Sequence, residues 1–109
     1  MNYTLTIDDV LNIIEKAEDS DIVIVRRHKN ILFITDNKIA WSDARSFIRS
    51  LCRDDLIAGP IPDDDPSLKY PVWIFKKEGF GCICYVKLKV IHKKVILVIS
   101  LHEDERREA

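Results

Sequence analysis

At 109 residues the chain is long enough to bury one hydrophobic core and too short to need two. Its 47% hydrophobic and 32% charged residues, with only three Gly and four Pro, exclude a disordered or collagen-like chain, and a formal charge of −1 excludes a global pull on nucleic acid. Any polyanion must be held by a local patch, and basic residues do collect at Arg26 to Lys29, at Lys76 and Lys77, and from Lys87 to Lys94.

No apolar run reaches membrane-spanning length, and the opening MNYTLTIDDV has neither the basic nor the apolar region of a signal peptide. Cysteines at 52, 82 and 84, an odd number, do not form a disulfide framework. The expectation is a cytoplasmic protein with a single domain over residues 1–109 and no membrane partner.

In chain order, Thr6 reads as a helix N-cap followed by Asp8 and Asp9, and Val10, Leu11, Ile13, Ile14 and Ala17 follow at helical spacing. That helix should end near Asp19 to Asp21. Ile22 to Val25 is β-branched throughout and predicts a short buried strand running into Arg26-Arg27-His28-Lys29. Lys29 to Trp41 suits either strand or helix. Ser42-Asp43 then reads as a cap, with Ala44, Phe47, Ile48, Leu51 and Cys52 on one helical stripe and Arg45, Arg49 and Arg53 on another.

The stretch from Gly59 to Pro66 is the strongest breaker in the chain and predicts a polar loop between a helical half and a strand half, with Asp63 to Asp65 at its mobile tip. Beyond it, Val72 to Phe75, Cys82 to Ile91 and Val95 to Leu101 predict three strands in an antiparallel meander. Trp73 and Phe75 read as core residues, because a small sheet needs large apolar groups.

The last hairpin lacks a preferred Asn-Gly turn, so its register is inferred from parity. A loop closing between Lys93 and Lys94 pairs Val90 with Leu97, Leu88 with Ile99 and Val86 with Leu101, all apolar; a one-residue slip would reverse every face. The same register sets Lys89 opposite Val98, Lys87 opposite Ser100 and Tyr85 opposite His102. Directly opposed side chains stand roughly 4.5–5.5 Å apart at Cβ.

A phenol, an ammonium and an imidazole brought together in this way suit RNA cleavage without a metal. A base removes the 2′-OH proton, a cation steadies the developing charge, and an acid protonates the 5′-oxygen. His102 carries the one side-chain type that titrates near neutrality, Lys87 supplies charge, and Tyr85 orients the ring, shares the proton transfer or stacks on a base. The alternative is an ordinary wet sheet face with no site.

The segments Arg27-His-Lys-Asn-Ile-Leu-Phe, Ser50-Leu-Cys-Arg-Asp-Asp-Leu with the following Gly59-Pro, Val72-Trp-Ile-Phe, Tyr85-Val-Lys-Leu and Ile99-Ser-Leu-His-Glu together resemble the MqsR family of mRNA interferases, RelE-like toxins of toxin–antitoxin systems. The resemblance covers most of the chain. It implies an α+β fold with N-terminal helices packed on a small antiparallel sheet carrying a C-terminal three-stranded meander. It also implies a second helix over Lys29 to Ile39, ribosome-independent cleavage of single-stranded mRNA, and a cognate antitoxin as partner; no cofactor is expected. Tyr85 and His102 match the family's catalytic positions, whereas Ala58 and Ile74 stand where its founding member has Lys and Gln.

The candidate catalytic residues are therefore His102, Tyr85 and Lys87, with Arg26, Arg27, Lys29, Lys76, Lys89 and Ser100 as RNA contacts. A non-catalytic protein- or RNA-binding module is the alternative. Cys82 and Cys84 share the apolar face of their strand and have no second pair at zinc-site spacing, so no metal site is expected. His28 and His92 read as solvated turn residues.

Overall fold

The computed structural model describes residues 5–62 and 70–105. Three helices, α1 (Ile7–Lys16), α2 (His28–Asp36) and α3 (Trp41–Arg49), accompany five strands, β1 (Ile22–Ile24), β2 (Leu56–Ile61), β3 (Val72–Gly79), β4 (Cys82–Ile91) and β5 (Val95–Glu103). The fold class is α+β, with the strands in one sheet of order β1-β5-β4-β3-β2. The expected Asp63 to Asp65 loop tip lies outside the described residues.

α1 begins where its sequence signals it. Thr6 accepts a hydrogen bond from the Asp9 N–H, and the Asp9 carboxylate accepts one from the Thr6 N–H. Such reciprocal caps stabilise a helix start by about 1 kcal/mol. Val10 and Ile14, one turn apart, reach the core. α2 buries Asn30, Phe33 and Ile34, and α3 buries Ala44 and Ile48. The stretch that suited either strand or helix is thus helical over His28–Asp36. α3 starts at Trp41 after Ala40, without the cap read at Ser42-Asp43.

All three helices join one face of the sheet. Val10, Ile14, Phe33, Ile34, Ala44 and Ile48 form one cluster with Trp73 and Phe75 of β3, Cys84, Val86, Leu88 and Val90 of β4, and Ile96, Val98 and Leu101 of β5. The arginine stripe ties these helices to the N-terminal segment: Arg49 pairs with Asp19 and donates to the Ala17 carbonyl, Arg53 pairs with Asp8, and Arg45 donates to the Ile22 carbonyl.

The sheet departs from the expected antiparallel arrangement in two places. β1 runs parallel to β5, with Ile22 opposite Ile96 and Ile24 opposite Val98, so the sheet is mixed. The stretch expected to open a polar loop at Gly59 instead continues β2, which pairs with β3 through two irregularities and carries the cis Gly59-Pro60 bond. Proline is tolerated there because β2 is an edge strand and its outer side needs no ladder donor. Gly59 is required at its position: φ is +137°, and a Cβ would lie 2.9 Å from Trp73 Cε3.

The β4–β5 hairpin corrects the parity argument in detail. The closing pair is Ile91 with Val95, leaving His92, Lys93 and Lys94 as a three-residue connection. The pairs near the turn are Val90 with Ile96, Lys89 with Leu97 and Leu88 with Val98, each displaced by one from expectation. A bulge at Ile99 then absorbs the extra residue, and Lys87–Ser100, Val86–Leu101 and Tyr85–His102 pair as expected. Ile96 and Val98, not Leu97 and Ile99, therefore join Leu101 in the core.

Candidate functional site

Strand alternation sends the partners of the core residues to the other sheet face, where Tyr85, Lys87 and His102 are half-buried and Val72, Lys89 and Ser100 are buried. Two rows of side chains cross it. One runs Lys76, Tyr85, His102, and the next runs Ala58, Ile74, Lys87, Ser100. The bulge decides the composition of both rows. Had the register near the turn continued unbroken, Ser100 and His102 would have faced the core and Leu101 the solvent side.

Tyr85 and His102 are not merely opposite each other: their rings stack, with centroids 5.4 Å apart and planes inclined by 22°. His102 Nδ1 lies 2.9 Å from the Glu103 carbonyl oxygen. A carbonyl only accepts, so Nδ1 is the donor of this bond, and the tautomer it selects keeps its lone pair on Nε2. The ring is thus fixed by stacking and by one hydrogen bond, with a single nitrogen available for proton transfer.

Around this pair the cations are unevenly deployed. Arg27 Nη1 donates to Ser100 Oγ at 3.4 Å, which places a guanidinium beside the Lys87 row. Lys76 reaches the Asp104 carboxylate at 2.9 Å, and Lys29 reaches Glu105 at 2.7 Å. The Lys29 ammonium holds the Glu105 carboxyl below the usual carboxylate range by hydrogen bond and charge, and His102 adds a smaller pull in the same direction. The acidic residues that follow β5 therefore lie against the candidate site.

Two of the sequence-proposed contacts are not brought to it. Arg26 turns the other way and lies over the Trp41 ring, 4.9 Å from its centroid. Lys89 is only 4% exposed, so its ammonium has little access to a polyanion. His92 is an exposed turn residue, as expected, and shares a hydrogen bond with the Tyr70 hydroxyl at 3.0 Å. Ala58 and Ile74 prove to be direct partners across β2 and β3, and Ile74 in turn faces Lys87. The two departures from the family pattern thus form one apolar step beside the cations.

One residue that supports the site went unread in the sequence. Asn30, 1% exposed, donates through Nδ2 to the carbonyls of Val25 (2.8 Å) and Ile99 (2.9 Å), and its Oδ1 accepts from the Leu101 N–H at 2.9 Å. β1 pairs with β5 only as far as Val98, with Val25 N–H reaching the Val98 carbonyl. Beyond that point the Asn30 amide takes the place of the missing strand along the outer edge of β5, across the bulge itself. Its signal was available in the i, i+3, i+4 spacing of Asn30, Phe33 and Ile34, which puts the amide on the buried face of α2.

Cys82 and Cys84 sit on the core side with sulfurs 3.9 Å apart. Burial, with the neighbouring Cys82, pushes the Cys84 thiol up to about 12. Among the described residues no group of three or more His, Cys, Asp or Glu is placed to hold a metal ion. Nor is any described helix long and apolar enough to cross a membrane. No family model, curated protein or solved structure matches the chain.

Proposed function

We propose that the chain is a RelE-like toxin of MqsR type, an endoribonuclease that cleaves single-stranded mRNA without a metal and is silenced by a cognate antitoxin. The observation that carries this reading is the stacked Tyr85–His102 pair on the sheet face away from the core, with Lys87 in the next row and the Arg27 guanidinium at Ser100 beside it. In the proposed reaction Nε2 of His102 takes the 2′-OH proton, and the oxygen attacks phosphorus. The 5′-oxygen leaves with a proton returned by the imidazolium or by the Tyr85 hydroxyl, giving a 2′,3′-cyclic phosphate and a 5′-OH. Lys87 and Arg27 steady the charge on the phosphorane oxygens. Ser100 holds the guanidinium of Arg27 in place.

Purified protein incubated with single-stranded RNA in EDTA tests this directly. Positioned acid–base groups contribute about 10²–10⁴-fold, so His102→Ala should lose roughly that factor while still binding RNA. Equal cleavage by both proteins refutes the assignment. A small antitoxin-like reading frame next to this one supports the toxin half of the proposal.

A second reading, a non-cleaving binding module of the same fold, is favoured by one specific observation: Ala58 and Ile74 are cross-strand partners and place an apolar step beside Lys87. Salt-sensitive RNA binding that is unchanged in His102→Ala, with no cleavage by either protein, selects it.

A further inference from the structure

Three acidic residues, Glu103, Asp104 and Glu105, follow His102 without interruption. Asp104 is anchored. Its N–H donates to the Ile83 carbonyl at 2.8 Å, which carries the β4 pairing one step past the last pair, Cys84 with Glu103. Its carboxylate lies 2.9 Å from Lys76 Nζ, with 11% of the side chain exposed. The backbone held in this way delivers Glu105 to Lys29 at the start of α2, with 2.7 Å between the charged atoms. Lys76 is the cross-strand partner of Tyr85, and Lys29 follows Arg27, whose guanidinium is at Ser100, by two residues. Two cations that flank the Tyr85–His102 pair are thus met by carboxylates of the segment that leaves the pair.

The two contacts differ in kind. Lys76–Asp104 is largely withdrawn from water and tied to the strand pairing, so separating its charges is costly. Lys29–Glu105 is open to solvent, with 50% and 66% of the side chains exposed, and an ion pair so exposed contributes little and opens readily. Glu105 is also within electrostatic reach of His102, whose charge adds to that of Lys29 in favouring the ionised carboxylate. Carboxylate and phosphate present the same thing to an ammonium group, anionic oxygens that accept charge-assisted hydrogen bonds. The position that Glu105 takes is therefore one that suits a phosphate beside the catalytic pair.

We propose that Glu105 is a built-in competitor of the RNA substrate: its carboxylate occupies, on Lys29, the place of a backbone phosphate next to the scissile one, and single-stranded RNA displaces it on binding. This deepens the function proposed above and rests on its RNA-binding part, not on turnover. The tether keeps the competitor at high effective concentration, so a ligand with a single phosphate gains little by replacing it. A strand that also engages Arg27 and Lys87 makes several contacts at once and wins the exchange. Lys76 stays with Asp104 in both states. Glu105 thus sets a threshold that favours strands over mononucleotides.

The test is a fluorescence-anisotropy titration of the full chain with a labelled single-stranded RNA whose 2′-hydroxyls are all methylated, so that it binds and is not cleaved. Glu105→Gln should bind about two- to fivefold more tightly, the range that an exposed ion pair permits. Its plot of log K against log salt should steepen by about 0.7, the increment for one more phosphate contact free of an internal partner. In a Lys29→Gln background the same substitution should have no effect, because the cation under competition is gone. Glu15→Gln makes the same charge change at an exposed position of α1 and should bind like the parent. Both glutamates are exposed, so thermal unfolding of either variant should match the parent. A Glu105→Gln affinity equal to the parent's, a gain that persists without Lys29, or a gain reproduced by Glu15→Gln overturns the inference and leaves the RNA reading intact. RNA binding by none of these proteins overturns both.

Discussion

Replacing Asn30 by Ala removes a side-chain amide that makes three hydrogen bonds at a position 1% exposed. The Leu101 N–H is left without an acceptor, which costs about 1–3 kcal/mol, and the Val25 and Ile99 carbonyls each lose a donor worth about 0.5–1.5 kcal/mol. The total is about 4 kcal/mol, which in a domain of this size lowers Tm by roughly 15–30 °C. Urea and thermal denaturation followed by circular dichroism measure it. Asn30→Asp separates hydrogen bonding from packing, since it keeps the shape and the acceptor for Leu101 but turns an oxygen toward two carbonyls. Buried there, a carboxyl favours its protonated form, so its folded-state pKa is raised above the unfolded value. Stability is then highest below the unfolded value and is lost as pH rises through the folded one. Asn30→Asp should therefore be closer to the parent in acid than at neutrality. If Asn30→Ala lies within 0.5 kcal/mol of the parent, or Asn30→Asp shows no pH dependence beyond the parent's, the amide is not the clamp on β5 described above.

Three further outcomes follow from named contacts. A Cβ at Gly79 would lie 2.4 Å from Phe47 Cε1, so Gly79→Ala should cost about 1–3 kcal/mol in denaturant titration, and Phe47→Leu in the same chain should recover part of it. With its thiol raised to about 12 and its side chain buried, Cys84 should resist alkylation in the native protein while exposed Cys52 reacts; mass spectrometry of labelled peptides with and without urea checks this, and equal labelling would contradict it. Asp9 and Asp19 are held below the carboxylate value of 3.8, by Thr6 and by Arg49 respectively. Their contribution is fully present above that value and lost as pH falls through the lowered one, so Asp9→Asn and Asp19→Asn should each flatten the acid limb of a stability-versus-pH curve.

The sequence was most legible where one residue pattern admits one answer. Thr6 with Asp9, and the spacing of Val10 and Ile14, specify α1 locally. The candidate pair Tyr85–His102 was also legible, but through two departures that cancel. Parity supplied an even-numbered loop where three residues close the turn, and an unbroken ladder where Ile99 bulges out. Neither was visible, because His92 and Lys93 carry no turn signature and an apolar Ile99 reads equally well on a paired strand. β2 was hidden for a related reason: Gly59-Pro60 is a breaker in a central strand and admissible on an edge, and edge position is a tertiary fact. The parallel pairing of Ile22–Ile24 with β5 depends on a partner far along the chain, so no local pattern announces it.

The position of β5 between β1 and β4 has a consequence for the order in which this molecule can be assembled during synthesis. Among the described elements β5 leaves the ribosome last, yet it sits inside the sheet, touching β1, β4 and the Asn30 amide of α2. Until it emerges, Ile22 has no Ile96 to lie against, α2 has a polar hook with only Val25 to hold, and Tyr85 has no His102. A nascent chain can make its helices and the β2–β3–β4 portion of the sheet early, but the stacked pair is the product of the final strand. Any activity that rests on that pair is therefore withheld from incomplete chains by topology alone.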